Sequence, residues 1–87
     1  MSKMSRKNQL KKEIEACELE IKAYEEKRER SQTAIVRAML AGKKPSKMDE
    51  KYFNTFSELI DQTRAKLRML LDELGSLKND KGDKGDK

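Results

Sequence analysis

The first half of the chain carries apolar residues at intervals that alternate between four and three positions. This spacing keeps one stripe of an α-helix facing a partner, as in a coiled coil. Good helix formers fill most other positions, and no glycine or proline interrupts the pattern before Gly42. The pattern predicts one long helix over residues 5–41. Its seam consists of Leu10, Ile14, Cys17, Ile21, Tyr24, Arg28, Ser31, Ile35 and Ala38.

The second half repeats this spacing and adds signals for both ends of a helix. Ser46 is a favourable N-cap residue, and the acids Asp49 and Glu50 suit the positive end of a helix dipole. Gly75 is typical of a residue that ends a helix. The sequence therefore predicts a second helix over residues 47–74. Its seam consists of Phe53, Phe56, Ile60, Thr63, Leu67, Leu70, Leu74 and Leu77.

The segment between the two helices, residues 42–46, predicts a turn. Gly42 is suited to the left-handed conformation that ends many helices, and Pro45, the single proline, cannot continue a helix. So short a connection favours antiparallel neighbours over one continuous rod. The predicted fold is all-α: an antiparallel two-helix hairpin with the heptad pattern of a coiled coil.

Apolar residues away from the seam predict a further contact. Two helices alone bury little surface, and chains of this size usually need a staple, a metal or a partner. The off-seam apolar residues crowd the turn, where clustered exposed side chains indicate an interface. We expect two hairpins to pair into a four-helix bundle, or one hairpin to dock onto helices of another protein. The predicted interface residues are Val36, Met39, Leu40, Tyr52, Phe53, Phe56 and Leu59.

Charge is concentrated at the N-terminus. The 87 residues carry a net charge of +5, and residues 1–12 hold five bases and no acid. Because the first helix is predicted to be the longer one, this basic extension is expected to project beyond the hairpin. It suits contact with phosphate or an acidic protein surface, and the alternative is a solubilising terminus. The basic residues are Lys3, Arg6, Lys7, Lys11 and Lys12.

The last ten residues, "KNDKGDKGDK" at 78–87, combine glycine with alternating charges. Such a composition cannot bury a core, so this tail is predicted to be disordered. Its Lys and Asp nearly cancel, which argues against nucleic-acid binding there.

Residues for catalysis are scarce. The chain has no histidine, the commonest general base near neutral pH, and its single cysteine, Cys17, lies on the apolar seam. We expect no enzyme activity, no cofactor or metal and no small-molecule substrate. A lone cysteine forms no internal disulfide, which favours the reducing cytoplasm. No apolar run approaches the length of a membrane span.

The overall plan resembles two groups of small helical hairpins. One is the plasmid-encoded RNA-binding hairpins that dimerise into four-helix bundles. The other is the small co-chaperones of type III secretion, some of which have a proline-containing turn like "KKPSK", residues 43–47. These resemblances imply a hairpin that works by association, and no residue role is carried over from either group.

Two hypotheses follow. The favoured one is a protein-interaction module: a scaffold, chaperone, adaptor or inhibitor, such as an accessory protein of a phage, plasmid or secretion system. Its partner would be itself, another helical protein, or both. The alternative is a small nucleic-acid-binding regulator acting through the basic N-terminus. The first is favoured because the net positive charge is modest for a nucleic-acid binder.

Overall fold

A computed structural model describes residues 3–85 of the chain and the side chains of residues 5–77. Two helices, α1 (Lys3–Leu40) and α2 (Lys47–Gly85), pack against each other along their length. The start of α1 lies beside the late part of α2, since Arg6 contacts Glu73. The prediction of an all-helical hairpin is therefore confirmed. The molecule is a flat rod with extents of 64 × 24 × 13 Å.

The connection between the helices is fixed by backbone hydrogen bonds. Gly42 has a φ of 73°, as predicted for a left-handed helix end. Its N–H donates to the carbonyl of Met39 over 3.0 Å, and Lys43 N–H donates to the carbonyl of Ala38 over 2.8 Å. These two bonds form a Schellman motif, which satisfies carbonyls left without partners at the end of α1.

The start of α2 is capped as the sequence predicts. The hydroxyl Oγ of Ser46 accepts a hydrogen bond from the backbone N–H of Asp49 over 3.0 Å. Asp49 and Glu50 both lie in the first turn, where negative charge is favourable. The turn is therefore held by a cap on each side.

The predicted end of the second helix is wrong. α2 continues through Gly75 to Gly85 instead of ending near Leu74. Gly42 is the only described glycine with positive φ, so Gly75 has an ordinary helical backbone. One glycine costs a helix about 1 kcal/mol relative to alanine, too little to stop it where Leu74 and Leu77 continue the packed seam. Disorder is predicted for residues 78–87, but the backbone of residues 78–85 is helical, and residues 86–87 lie outside the described part.

The best-packed region lies away from the turn. Leu10, Ile14, Cys17 and Leu70 form a buried cluster. Leu67, Leu74 and Leu77 pack against this cluster, which makes it the main apolar core of the described residues. Ile60 and Leu10 are both fully buried. We call this half of the rod, residues 5–26 and 57–77, the open end, and residues 27–56 the turn end.

Toward the turn the seam becomes more polar and less filled. Ser31 is a buried polar residue, and Arg28 is half-buried. Ile35 and Phe53 are also only half-buried. Among the described side chains no buried nitrogen or oxygen lacks a hydrogen-bond partner. The helices therefore stay together at the turn end with a thinner apolar contact.

The basic N-terminal segment packs alongside α2. The Arg6 guanidinium donates to both carboxylate oxygens of Glu73 over 2.7 and 2.8 Å, and Leu10 is fully buried. Contrary to the sequence-based expectation, these residues do not project beyond the hairpin. The reason is the continuation of α2 past Gly75, which gives α1 a neighbour along nearly its whole length.

Candidate protein interface

A cluster of three aromatic rings bridges the helices at the turn end. Phe56 lies at its centre, with ring centroids 6.1 Å from Tyr24 on α1 and 6.2 Å from Tyr52 on α2. The Nζ of Lys27 lies 5.7 Å from the Phe56 centroid, within range of a cation–π contact. Phe56 and Tyr24 are half-buried, whereas Tyr52 remains 45% exposed. The cluster thus offers aromatic surface to one side of the rod.

An open groove runs beside this cluster, and we call it the aromatic groove. α1 lines it with Lys27, Arg30 and Ser31, and α2 lines it with Asp49, Tyr52 and Phe56. Arg30 is exposed and Asp49 is half-buried. The groove combines an aromatic floor with two cations and one carboxylate, a composition suited to an apolar surface that carries negative charge at its edges.

The predicted interface residues are not one continuous patch. Tyr52 and Phe56 line the aromatic groove, whereas Val36 lines a separate depression made by α1 alone, with Glu29, Thr33 and other α1 residues. Met39 and Leu40 are 63% and 83% exposed. Phe53 and Leu59 are half-buried. The turn end therefore has apolar surface in more than one direction.

The predicted basic contact residues are also divided. Arg6 is engaged with Glu73, and Lys7 is half-buried. Lys11 and Lys12 are exposed. The side chain of Lys3 lies outside the described residues. The four bases whose side chains are described therefore do not form a uniform cationic surface.

The Arg6–Glu73 contact changes the titration of both groups. Its hydrogen bonds lower the pKa of Glu73 below the ordinary value of 4.5, mainly because they favour the carboxylate form. The same bonds raise the pKa of Arg6. Both side chains remain about two-fifths exposed. This pair therefore acts as a surface clasp at the open end.

Sequence reasoning missed part of the groove. The heptad pattern gives no role to Lys27 or Arg30, both of which line the groove. Lys27 lies three residues after Tyr24 and Arg30 three after Lys27, so both follow the edge of the seam. From that spacing, the position of Lys27 and Arg30 beside the seam could be predicted. Met48, which is 58% exposed, was also missed.

Other chemical features of the described residues are few. Cys17 is a buried free thiol, packed in the core cluster. In the part of the chain that the structure describes, no group of three or more His, Cys, Asp or Glu is arranged to hold a metal ion. Neither helix, over its described length, is apolar enough to cross a membrane.

No family model matches the chain, and neither a curated protein nor a solved structure matches it. Any functional inference therefore depends on the surfaces described above.

Proposed function

We propose that this protein is a non-enzymatic interaction module, a helical hairpin that acts by packing against other helices. The partner is a second copy of the chain, another helical protein, or both. One observation carries the proposal. Six hydrophobic residues form the buried core of the described side chains, whereas eight large hydrophobic side chains are exposed. The exposed ones are Leu19, Val36, Met39, Leu40, Met48, Tyr52, Met69 and Leu71.

Burial of these side chains would be strongly favourable. Removing a large apolar side chain from water contributes about 1.5–3 kcal/mol, and a two-helix rod only 13 Å deep has no further layer to cover them. Five of the eight lie at the turn end, where the internal contact is also thinnest. A partner helix would complete the core that the hairpin lacks.

Charge along the rod supports a protein partner over nucleic acid. Residues 13–26 hold six acids and one base, whereas the turn end holds eight bases and three acids. A phosphate backbone would meet the acidic stretch within the same rod, which opposes binding. Arg6, one of the five bases expected to contact phosphate, is already paired with Glu73.

Photo-crosslinking tests the proposal directly. A photoreactive phenylalanine derivative replaces Tyr52 or Met39, which are exposed apolar positions. The matched control carries the same residue at Gln62, an exposed polar position on α2. In cells that express the protein, we expect positions 52 and 39 to crosslink to protein, either a second copy or another helical chain. Position 62 should give far weaker crosslinks.

Two outcomes would contradict the proposal. The first is crosslinking to nucleic acid at positions 52 and 39, which would favour the regulator hypothesis. The second is equal, weak crosslinking at all three positions, which would mean that the exposed apolar residues have no partner.

A further inference from the structure

We propose that the aromatic groove is covered by a second copy of this chain, with the two rods antiparallel and the α1 helices in contact. This inference rests on the proposed function and makes it specific, since it names the partner, the face and the orientation. The charges that flank the groove favour this arrangement.

Charged residues follow the groove side of α1 at a spacing of seven. Arg6, Glu13, Glu20 and Lys27 are each seven residues apart, so they lie along one stripe of the helix, two turns from one to the next. Lys27 lies in the groove over Phe56, and Glu20 is exposed. The stripe therefore changes sign between Glu20 and Lys27, beside the aromatic cluster.

The charges select the orientation of the second copy. If the two rods lay parallel, the turn ends would face each other, each with eight bases against three acids. Like charges across an interface are strongly unfavourable. In the antiparallel arrangement with residues 20 and 27 opposite each other, residues 27–34 of each copy, which hold three bases and one acid, face residues 13–20 of the other, which hold four acids and no base. Opposite charges then meet on both sides of the centre of the contact.

A two-fold axis perpendicular to the rods gives this arrangement. It places α1 against α1 of the second copy, because such an axis reverses each rod without exchanging the sides on which the helices lie. When the axis passes midway between residues 20 and 27, Glu20 of each copy faces Lys27 of the other. The contact is isologous, so each pair occurs twice. The exposed small residues Ala16 and Ala23 allow the helices to approach closely.

The available area is sufficient. The rod is 24 Å wide, and an overlap of about 35 helical residues at 1.5 Å each is about 50 Å long. This gives on the order of 1,000 Å² per copy, compared with about 800 Å² per partner in a standard interface. The dimer would also cover Tyr52, which is 45% exposed in the single chain.

Charge exchange between positions 20 and 27 tests the geometry. The variants are Glu20→Lys, Lys27→Glu, the double variant, and an equimolar mixture of the two single variants, all measured by sedimentation equilibrium. Each single reversal places like charges opposite each other twice per dimer, so we expect the dimer Kd to rise at least about tenfold. The double variant restores opposite charges and should return close to the wild-type Kd.

The equimolar mixture of Glu20→Lys and Lys27→Glu is the most specific test of the pairing between positions 20 and 27. One chain with acids at positions 20 and 27 and one with bases at both are complementary, so they should form a heterodimer although each alone is weak. Glu15→Lys and Lys51→Glu are the matched controls, since both sites are exposed, lie off the stripe and undergo the same charge changes. Neither should raise the Kd comparably. Circular dichroism should show wild-type helicity for every variant.

Three results would overturn the inference. They are a wild-type chain that stays monomeric up to about 100 µM, single variants no weaker than the controls, and a mixture that remains monomeric. Each is distinguishable from failure of the proposed function. Protein crosslinks from Tyr52 to another helical chain would leave the interaction module standing while removing the second copy from the groove.

Discussion

The open end and the turn end of this hairpin follow the same heptad spacing but differ in how they are stabilised. At the open end Leu10, Ile14, Cys17 and Leu70 are buried together. At the turn end the α1 seam offers Arg28, a buried Ser31 and half-buried Ile35 and Ala38. Spacing determines which side chains face the partner helix, whereas their size and polarity determine how much surface is buried.

This difference assigns separate roles to the two ends. The open end contains the apolar core of the hairpin, closed by the Arg6–Glu73 clasp. The turn end is held mainly by its caps and by the aromatic cluster, and it carries five of the eight large exposed apolar residues. We therefore expect substitutions at the open end to affect folding, and those on the turn-end surface to affect association.

The largest expected effect is at Leu10. Because Leu10 is fully buried in the core cluster, Leu10→Ala should lower the free energy of unfolding by about 2–5 kcal/mol. Leu40→Ala is the matched control, since Leu40 is 83% exposed at the end of α1. That change should stay within about 0.5 kcal/mol. Urea unfolding at one fixed protein concentration measures both.

Equal losses of unfolding free energy for Leu10→Ala and Leu40→Ala would mean that the two ends contribute alike to stability, contrary to their difference in burial.

The burial of Leu10 also changes the effect expected from truncating the N-terminus. The sequence suggests that residues 1–12 are dispensable for folding, because they contribute only Leu10 to the seam. Removal of a fully buried core residue should instead destabilise the hairpin.

Substitutions of Gly42 and Gly75 are expected to have smaller effects, opposite in sign at the two ends of the rod. Gly42 has a φ of 73°, a conformation that other residues adopt at a cost, so Gly42→Ala should destabilise the hairpin by about 1 kcal/mol. Gly75 has a helical backbone, and an added Cβ would meet no atom within 4 Å. Gly75→Ala should therefore stabilise the hairpin by about 0.5–1 kcal/mol. Thermal unfolding distinguishes the two variants, and a stabilising Gly42→Ala would contradict the Schellman motif.

Much of the fold could be predicted because its signals are local. Gly42 and Ser46 mark the turn through backbone conformation and capping, which depend on a few neighbouring residues. The end of α2 could not be predicted in this way. The preference of Gly75 for ending a helix is weak, and its outcome depends on contacts between Leu74, Leu77 and a distant part of α1.

The candidate interface was predicted less well, since it depends on the direction of side chains around two packed helices. Val36 and Tyr52 are both near the turn in sequence, yet they line different depressions. Tyr24 and Phe56 are both predicted seam positions, but the stacking of their rings depends on the register between the helices. Heptad spacing alone predicts which residues face the partner helix. It does not predict on which side of the hairpin each outward-facing residue lies.

The smallest expected effect concerns the clasp at the open end and its dependence on pH. The pKa of Glu73 is lowered in the folded protein by its hydrogen bonds to Arg6, so this carboxylate stabilises the folded state above its ordinary pKa of 4.5. This contribution to stability is lost as the pH falls through the pKa of Glu73 in the folded protein.

Tm should therefore be lower in Glu73→Gln than in wild type at pH 7, and the difference should shrink below about pH 4.5. It should also be small and reduced by salt, because both partners are about two-fifths exposed. Glu58→Gln, at an exposed position of α2 that belongs neither to the Arg6–Glu73 pair nor to the ion pair between Arg64 and Glu25, controls for the loss of one negative charge. A Tm difference that persists unchanged at pH 2 would show that Glu73 acts through packing instead of through its charge, and the open end would then depend on its apolar cluster alone.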